Sequence, residues 1–182
     1  MKGKLLLAGN VVGFQCVWLA SIAGAGKGLA WAGPVAAALF VAAMLALGGK
    51  ARQDLRMLAI ALPVGFLLDG AFAASGWLLY AQPVPWVSAA PVWIWSLWAG
   101  FALTLNHSMD FLRARPWASA VFGLVGGPLA YWTAASAFDA VSFGVPVAWA
   151  MAALAVGWAV VLPLLYGLDR RMVAQGPRKA PA

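Results

Sequence analysis

Residues 57–80 read MLAIALPVGFLLDGAFAASGWLLY, an apolar run that contains one charged side chain, Asp69. A helix needs about 20 mostly apolar residues to cross a bilayer, and this run is long enough. Asp69 stands near the middle of the run, where its short side chain cannot reach water at either membrane surface. The run therefore predicts a membrane-spanning helix whose carboxyl group faces protein rather than lipid.

The chain has six such runs in all, at 5–23, 29–47, 57–80, 92–112, 117–138 and 145–168. Strands of a β-barrel would alternate apolar and polar residues, whereas residues 35–47 are apolar on every face. The fold class we expect is all-α, a polytopic transmembrane helical bundle with six spans and no soluble domain. We expect one domain over 1–182, with residues 175–182 as a disordered cytoplasmic tail.

The composition is also that of a membrane protein. Hydrophobic residues make up 64% of the 182 residues and charged residues 9%, with a mean hydropathy of +0.87. A soluble domain is about half apolar and a quarter charged, so this chain has too little polar surface to cover a core in water. The net charge of +7 comes from short basic clusters without interleaved aromatic residues, so we expect no nucleic-acid partner.

The basic residues predict the orientation of the spans. With the N-terminus inside, the cytoplasmic segments hold 11 of the 12 Lys and Arg residues, including those of the predicted loop KARQDLR at 50–56; Lys27 is the exception. Cytoplasmic loops of membrane proteins carry such an excess of positive charge. We therefore expect a multi-pass protein of the bacterial inner (cytoplasmic) membrane with both termini in the cytoplasm.

The first run also has features of a secretory signal. Two lysines precede an apolar stretch, and AGA at 23–25 fits a small-residue cleavage site, so cleavage there would leave five helices. Asn10 and Gln15 inside the stretch, and its full spanning length, favour an uncleaved helix.

Polar side chains inside the predicted spans are the candidate ligand-binding residues. Asp69 either contacts a ligand, exchanges a proton, or serves as a buried acceptor that ties helices together. Asn10 and Gln15 must face protein, because an amide in hydrocarbon needs hydrogen-bond partners. Tyr131 follows GGP at 126–128, a sequence that predicts a loosened helix beside a cavity.

The densest polar stretch is TLNHSMD at 104–110. Asn106 and His107 both lie within reach of Asp110 on a helix surface, so His107 and Asp110 could exchange protons. Asp110 is also close enough to the end of the span to pair in water with Arg113 or Arg115. One histidine without clustered cysteines is too few for a zinc or di-iron site, so we expect no metal and no cofactor.

Two pairs of small residues at i,i+4 spacing predict close helix packing: Gly9 with Gly13, and Gly123 with Gly127. The alternative is that these faces join the chain to a second copy or to another protein, as a homo- or hetero-oligomer.

Several short motifs are distributed along the chain. They are N-x-x-x-F-Q-x-x-W at 10–18, the central Asp69, P-x-W at 91–93, L-W-x-x-F at 97–101, N-H-S at 106–108 and G-G-P-x-x-Y at 126–131. Together they resemble a proteobacterial inner-membrane family, domain of unknown function 2878, over nearly the whole chain. The resemblance implies no assigned activity. The family's genes lie near those for cyclopropane-type fatty-acid modification, which implies a lipid-related role.

The function favoured by these observations is binding or translocation of a lipid-like or small amphipathic molecule through an intramembrane polar pocket. Gln15, Asp69, Asn106 and His107 would hold the head group, with membrane lipids as partners. One alternative is a membrane-embedded enzyme, or accessory subunit, of fatty-acid or lipid modification that uses His107 with Asp69 or Asp110 as acid and base. Another is an assembly subunit of a membrane complex. No catalytic residue is assigned.

Overall fold

The computed structural model describes residues 2–175, which form six α-helices and a two-stranded ribbon. The helices are α1 Lys2–Gly26, α2 Ala32–Leu47, α3 Ala51–Ala74, α4 Val92–Leu105, α5 Pro116–Phe138 and α6 Val147–Ala174. The strands are β1 Leu78–Tyr80 and β2 Val141–Phe143, and a 3₁₀ turn at Asp110–Leu112 lies between α4 and α5. The expected tail at 175–182 lies outside the described residues, apart from Gln175 at the end of α6.

Successive helices run in opposite directions. Arg56, near the start of α3, bonds Asp169, near the end of α6, while Gly26 at the end of α1 lies against Phe138 at the end of α5. We name the two ends of the bundle by what they hold. The basic end has the start of α1, the α2–α3 and α4–α5 connections and the end of α6; the ribbon end has β1 and β2.

The helical class expected from the sequence is confirmed. Four helices are long and apolar enough to cross a membrane by length and composition: Gly3–Gly26, Ala51–Ala74, Pro116–Phe138 and Val147–Ala174. The other two, α2 and α4, are apolar but have only 16 and 14 residues. Large apolar side chains such as Leu5, Leu47 and Val156 are exposed around the bundle, where lipid can cover them. These features indicate a membrane-embedded protein.

The third helix begins and ends six residues earlier than the span expected at 57–80. Most of the charged stretch 50–56, expected to be a loop, forms the first turns of α3. Ser75 and Gly76 end the helix, and Gly76 has φ +70, a left-handed conformation that glycine adopts without steric cost. The chain therefore leaves the helix before the apolar run is over.

A short ribbon replaces the helical end expected for that run, so the predicted end of the third span at residue 80 is wrong. Leu78, Leu79 and Tyr80 pair antiparallel with Phe143, Ser142 and Val141. Each strand follows a turn that closes a helix, since Asp139 after α5 also has a positive φ, of 53. The ribbon brings Tyr80 back toward the end of α3.

The fourth helix ends at Leu105, whereas the sequence predicted a span to residue 112. Two polar side chains allow this end to form inside the bundle, because they satisfy carbonyls that the helix leaves free. The Asn10 amide donates to Leu103 O at 3.4 Å, and Lys50 Nζ donates to Asn106 O at 2.5 Å.

Helix packing uses the glycines that the sequence singled out, with one exception. A Cβ added at Gly13 would lie 2.5 Å from Phe40 Cε2 of α2, and one at Gly123 or Gly127 would overlap Trp158 of α6. Gly9 has no atom within 4 Å of such a Cβ. The packing role is therefore confirmed for three of the four, and oligomer formation through these faces stays a prediction.

Helix α5 contains no break in the region where the sequence predicted one. It is continuous from Pro116 to Phe138 and includes Pro128. Tyr131 thus projects from a regular helix.

Candidate functional site

Asp69 is fully buried and accepts hydrogen bonds from three neutral donors. Tyr80 Oη donates to Oδ1 at 2.8 Å, Trp98 Nε1 donates to Oδ2 at 2.6 Å, and Tyr131 Oη also donates to Oδ1. We call these four residues the Asp69 site. It joins α3, β1, α4 and α5 through one carboxyl group, so each of these elements depends on the others for its polar contacts.

Local sequence explains how these donors reach Asp69. Gly65, one turn before Asp69 on the same face of α3, makes room for the Trp98 ring, which any Cβ at this position would overlap. The ribbon turns Tyr80 inward, and its neighbour Leu79 points outward, as expected for alternating side chains on a strand. Gly127, one turn before Tyr131, lets α5 approach Trp158 closely.

The depth of Asp69 differs from the sequence expectation of a mid-span position. Asp69 lies five residues before the end of α3, which corresponds to about 8 Å at helical rise. The Asp69 site is therefore nearer the ribbon end than the middle of the bundle, because α3 starts earlier in the chain than predicted.

A cavity of about 530 Å³ lies between α1, α4, α5 and α6. Aromatic rings make up much of its wall, among them Phe14, Trp18, Trp98, Phe101, Tyr131 and Trp158. Trp98 and Tyr131 belong to this wall and to the Asp69 site at once. The Asp69 carboxyl group thus lies directly behind the aromatic wall of the cavity.

The cavity opens on the side of the bundle. At the ribbon end α1 and α5 are in contact: the Trp18 and Phe138 rings pack edge to face, with their centroids 6.2 Å apart. Toward the basic end, residues of both helices line the cavity and are also exposed at the surface, as Val11 (44% exposed) and Phe122 (46%) show. This surface faces lipid in a membrane-embedded bundle.

Few polar groups border the cavity. Gln15 is exposed at the edge of the cavity, opposite the α5 wall, so the prediction that its amide faces protein is wrong. Ser108 lies toward the basic end. Nε1 of Trp158 is buried and has no hydrogen-bond partner among residues 2–175. Because this atom is buried, the surrounding side chains shield it from a molecule in the cavity.

A second polar site lies at the basic end and is built around Asp54, which is fully buried. Asn106 Nδ2 donates to Asp54 Oδ1 at 2.9 Å, and His107 Nε2 lies 3.0 Å from Asp54 Oδ2. The His107 side chain is only 4% exposed. These contacts fasten the end of α4 to the start of α3.

Asp169 extends this network to α6. Its two oxygens bind Arg56 Nε and Arg113 Nη1, both at 2.5 Å, and Arg113 also donates to Asn106 Oδ1. Partial burial lowers the pKa of Arg113, but hydrogen bonds and Coulomb attraction from Asp110 and Asp169 outweigh this effect and raise the pKa above its ordinary value. Arg113 is therefore a permanent cation. It is a basic partner for both Asp110 and Asp169.

The sequence of the chain matches a known family. A family model described as "Protein of unknown function (DUF2878)" matches residues 7–164. The chain belongs to the DUF2878 family. No curated protein and no solved structure matches the chain. The matched DUF2878 region contains the Asp69 site and every residue that lines the cavity, whereas Asp169 of the second site lies beyond it.

In this DUF2878 member, the polar residues predicted to share one pocket lie in two separate places, so that prediction is wrong. Asp69 and Tyr131 are in direct contact, and Gln15 lines the same cavity as Tyr131. Asn106 and His107 instead contact Asp54, which precedes Asp69 by 15 residues on α3 or about 22 Å along the helix. That separation also prevents His107 and Asp69 from acting as an acid–base pair.

The remaining predicted residues have structural contacts. Asn10 is fully buried, and its Oδ1 accepts a hydrogen bond from Ser108 N at 3.2 Å, so its amide serves the irregular end of α4. Asp110 pairs with Arg113 at 2.8 Å, one of the alternatives expected, and its side chain is 46% exposed. Its carboxyl group does not bond His107 in this arrangement.

Sequence reasoning missed Tyr80, Trp98, Asp54, Asp169 and Trp158 as site residues. A signal for Asp54 was present: buried positions 54, 57, 61, 65 and 69 follow one face of α3 at helical spacing. Asp54 therefore shares a face with Asp69, although it lies in a stretch that reads as a charged loop.

Proposed function

We propose that the chain is a six-span protein of the bacterial inner membrane with both termini in the cytoplasm. The basic end holds nine of the ten Lys and Arg residues in the described part of the chain, and segments with such an excess of positive charge favour the cytoplasmic side. The shorter helices α2 and α4 would cross with the help of flanking residues, and α4 is followed by turns that extend it toward the basic end.

Reporter fusions test this orientation. Fusions after Lys50, Arg115 and Ala182 should report the cytoplasm, and fusions near Ala81 and Asp139 should report the periplasm, because these positions alternate between the two ends. A periplasmic signal after Ala182 would refute the six-span arrangement.

We further propose that the cavity binds a lipid-like or small amphipathic molecule that enters from the membrane. The observation that carries this proposal is an aromatic cavity of about 530 Å³ whose lining is exposed on the lipid-facing side between α1 and α5. Pockets of this size with mostly apolar walls and few polar groups are typical of small-molecule sites. An acyl chain or ring system would lie along Phe14 and Phe122, where lipid has direct access.

The polar part of the molecule would lie near Gln15. The Gln15 amide is the polar group at the lateral opening. An ester, ether or hydroxyl oxygen would accept a hydrogen bond from this amide. Because the surrounding lipid is as apolar as the cavity wall, packing contacts and this polar contact, rather than removal of apolar surface from water, would supply the binding free energy.

Native mass spectrometry of the detergent-purified protein tests the proposal, with Gly126→Leu as the perturbation. Gly126 lines the cavity, and a Cβ there would meet only Phe122, at 3.6 Å, so a larger side chain fits the backbone and occupies cavity volume. Gly167→Leu is the matched control, because Gly167 lies on α6 away from the cavity and has no atom within 4 Å of an added Cβ.

We expect wild type and Gly167→Leu to retain a bound molecule and Gly126→Leu to lose it. The absence of any retained molecule from wild type, or equal retention by Gly126→Leu, would refute binding in this cavity.

A further inference from the structure

No basic side chain within residues 2–175 forms an ion pair with Asp69. The acidic member of every ion pair within residues 2–175 is Asp54, Asp110 or Asp169. The two oxygens of Asp69 accept from three donors, and the indole N–H of Trp98 can only donate. These donors suit an ionised carboxylate, yet a buried charge remains costly without a cation nearby.

A bound ligand could provide that cation, because the rings between Asp69 and the cavity are of a type that binds organic cations. Trp98 stacks on Trp158 with ring centroids 4.9 Å apart, and Phe101 meets Trp158 edge to face at 5.5 Å. None of the side chains that line the cavity, all of them in the described part of the chain, carries a charge. Aromatic faces attract organic cations, most strongly where water is excluded.

We propose that the cavity binds a hydrophobic organic cation, of the quaternary ammonium or phosphonium type, against the aromatic wall that lies in front of Asp69. This inference rests on the proposed function, because it needs the cavity to hold a ligand, and it adds the charge of that ligand. The aromatic wall would contact the cation, and Asp69 would attract it from behind Trp98 and Tyr131. For unit charges ~8 Å apart at an effective dielectric constant of ~20, this attraction corresponds to roughly 30-fold in affinity.

Two ions of the same shape and opposite charge test the proposal on the unmodified chain. Tetraphenylphosphonium and tetraphenylborate are compared by equilibrium dialysis of the full-length protein in non-ionic detergent, after subtraction of uptake by protein-free micelles. We expect the Kd of the phosphonium ion to be at least about 30-fold lower than that of the borate, because the charge that attracts the cation also repels the anion. Equal affinities, or tighter binding of the borate, would overturn the cation site.

Asp69→Asn removes the charge and keeps the size of the side chain. It should weaken tetraphenylphosphonium binding by about 10- to 30-fold. Asp139→Asn removes an exposed acidic charge at the same end of the bundle and should change binding by less than about twofold, because solvent screens that charge. Unchanged binding by a folded Asp69→Asn protein would contradict the proposal. If that variant does not fold, the comparison of the two ions on wild type still decides.

A neutral dye, N-phenyl-1-naphthylamine, separates failure of this inference from failure of the proposed function. If wild type binds the dye, Gly126→Leu does not, and tetraphenylphosphonium does not bind, the cavity takes neutral molecules and only the cation site is wrong. If neither compound binds, the proposed function is wrong as well.

The cationic group has two potential sources, a choline lipid or a free hydrophobic cation. Displacement of tetraphenylphosphonium by dihexanoyl-phosphatidylcholine would support a cation site that takes lipid head groups. Retention of tetraphenylphosphonium in the presence of that lipid would support a cation site for free cations.

Discussion

Tyr131→Phe removes one hydroxyl group from the Asp69 site and leaves the aromatic wall of the cavity unchanged in shape. The hydroxyl is buried and donates to Asp69, which keeps the donors Tyr80 and Trp98 after the change. A hydrogen bond to a charged group contributes about 1.5–3 kcal/mol. We therefore expect the free energy of unfolding to fall by that amount while retention of the bound molecule persists.

The assay is unfolding of the purified protein by SDS in mixed micelles, followed by tryptophan fluorescence. Thr133→Val on the same helix is the control; the Thr133 hydroxyl donates only to Leu129 O of its own helix, so its loss should cost under about 0.5 kcal/mol. The double variant with Asp69→Asn should show a coupling energy of at least about 0.5 kcal/mol, because the two side chains are in contact. Equal effects of Tyr131→Phe and Thr133→Val, or strict additivity with Asp69→Asn, would refute a cooperative Asp69 site.

Two further changes test the supporting contacts by the same assay. Gly65→Ala should lower the free energy of unfolding by about 1–3 kcal/mol, because the new methyl group overlaps the Trp98 ring. Gly70→Ala is the control and should be neutral or stabilising, because the nearest atom to its Cβ would be Ala90 N at 3.9 Å. Similar losses from both variants would contradict the packing of Trp98 against Gly65. Asp169→Ala should lower the free energy of unfolding by about 2–3 kcal/mol, because two arginines lose a shared acceptor. Asp110→Ala should lower it by under about 1 kcal/mol, because its ion pair is exposed. A larger loss from Asp110→Ala than from Asp169→Ala would contradict this order of the two ion-pair contributions.

Much of the fold is predictable from the sequence, because apolar length and charge position specify helices in a membrane. The six helices occur where six runs predict them, and Gly13, Gly123 and Gly127 pack closely as expected. The ribbon is not predictable in this way. Leu78–Tyr80 continue an apolar run without any change of composition, and their strand depends on pairing with residues more than 60 positions later in the chain.

The site was harder to predict, because its polar groups are paired by tertiary contacts. Asp54 lies among basic residues and reads as part of a loop, yet its partners Asn106 and His107 bury it completely. Asp69 was identifiable as a buried group from its position alone. Its donors were not, since Tyr80 and Trp98 read as interfacial or core aromatic residues until the chain places them around the carboxyl group.

Photolabelling with a diazirine-bearing fatty acid tests most directly whether the cavity between α1 and α5 binds a membrane-derived molecule. The wild-type protein is labelled in lipid nanodiscs, and modified peptides are identified by mass spectrometry. We predict saturable labelling concentrated on the α1 segment around Gln15 and the α5 segment around Phe122, and its loss in Gly126→Leu. Labelling spread evenly over the lipid-facing sides of all the helices, without saturation and unchanged by Gly126→Leu, would contradict a binding site in the cavity.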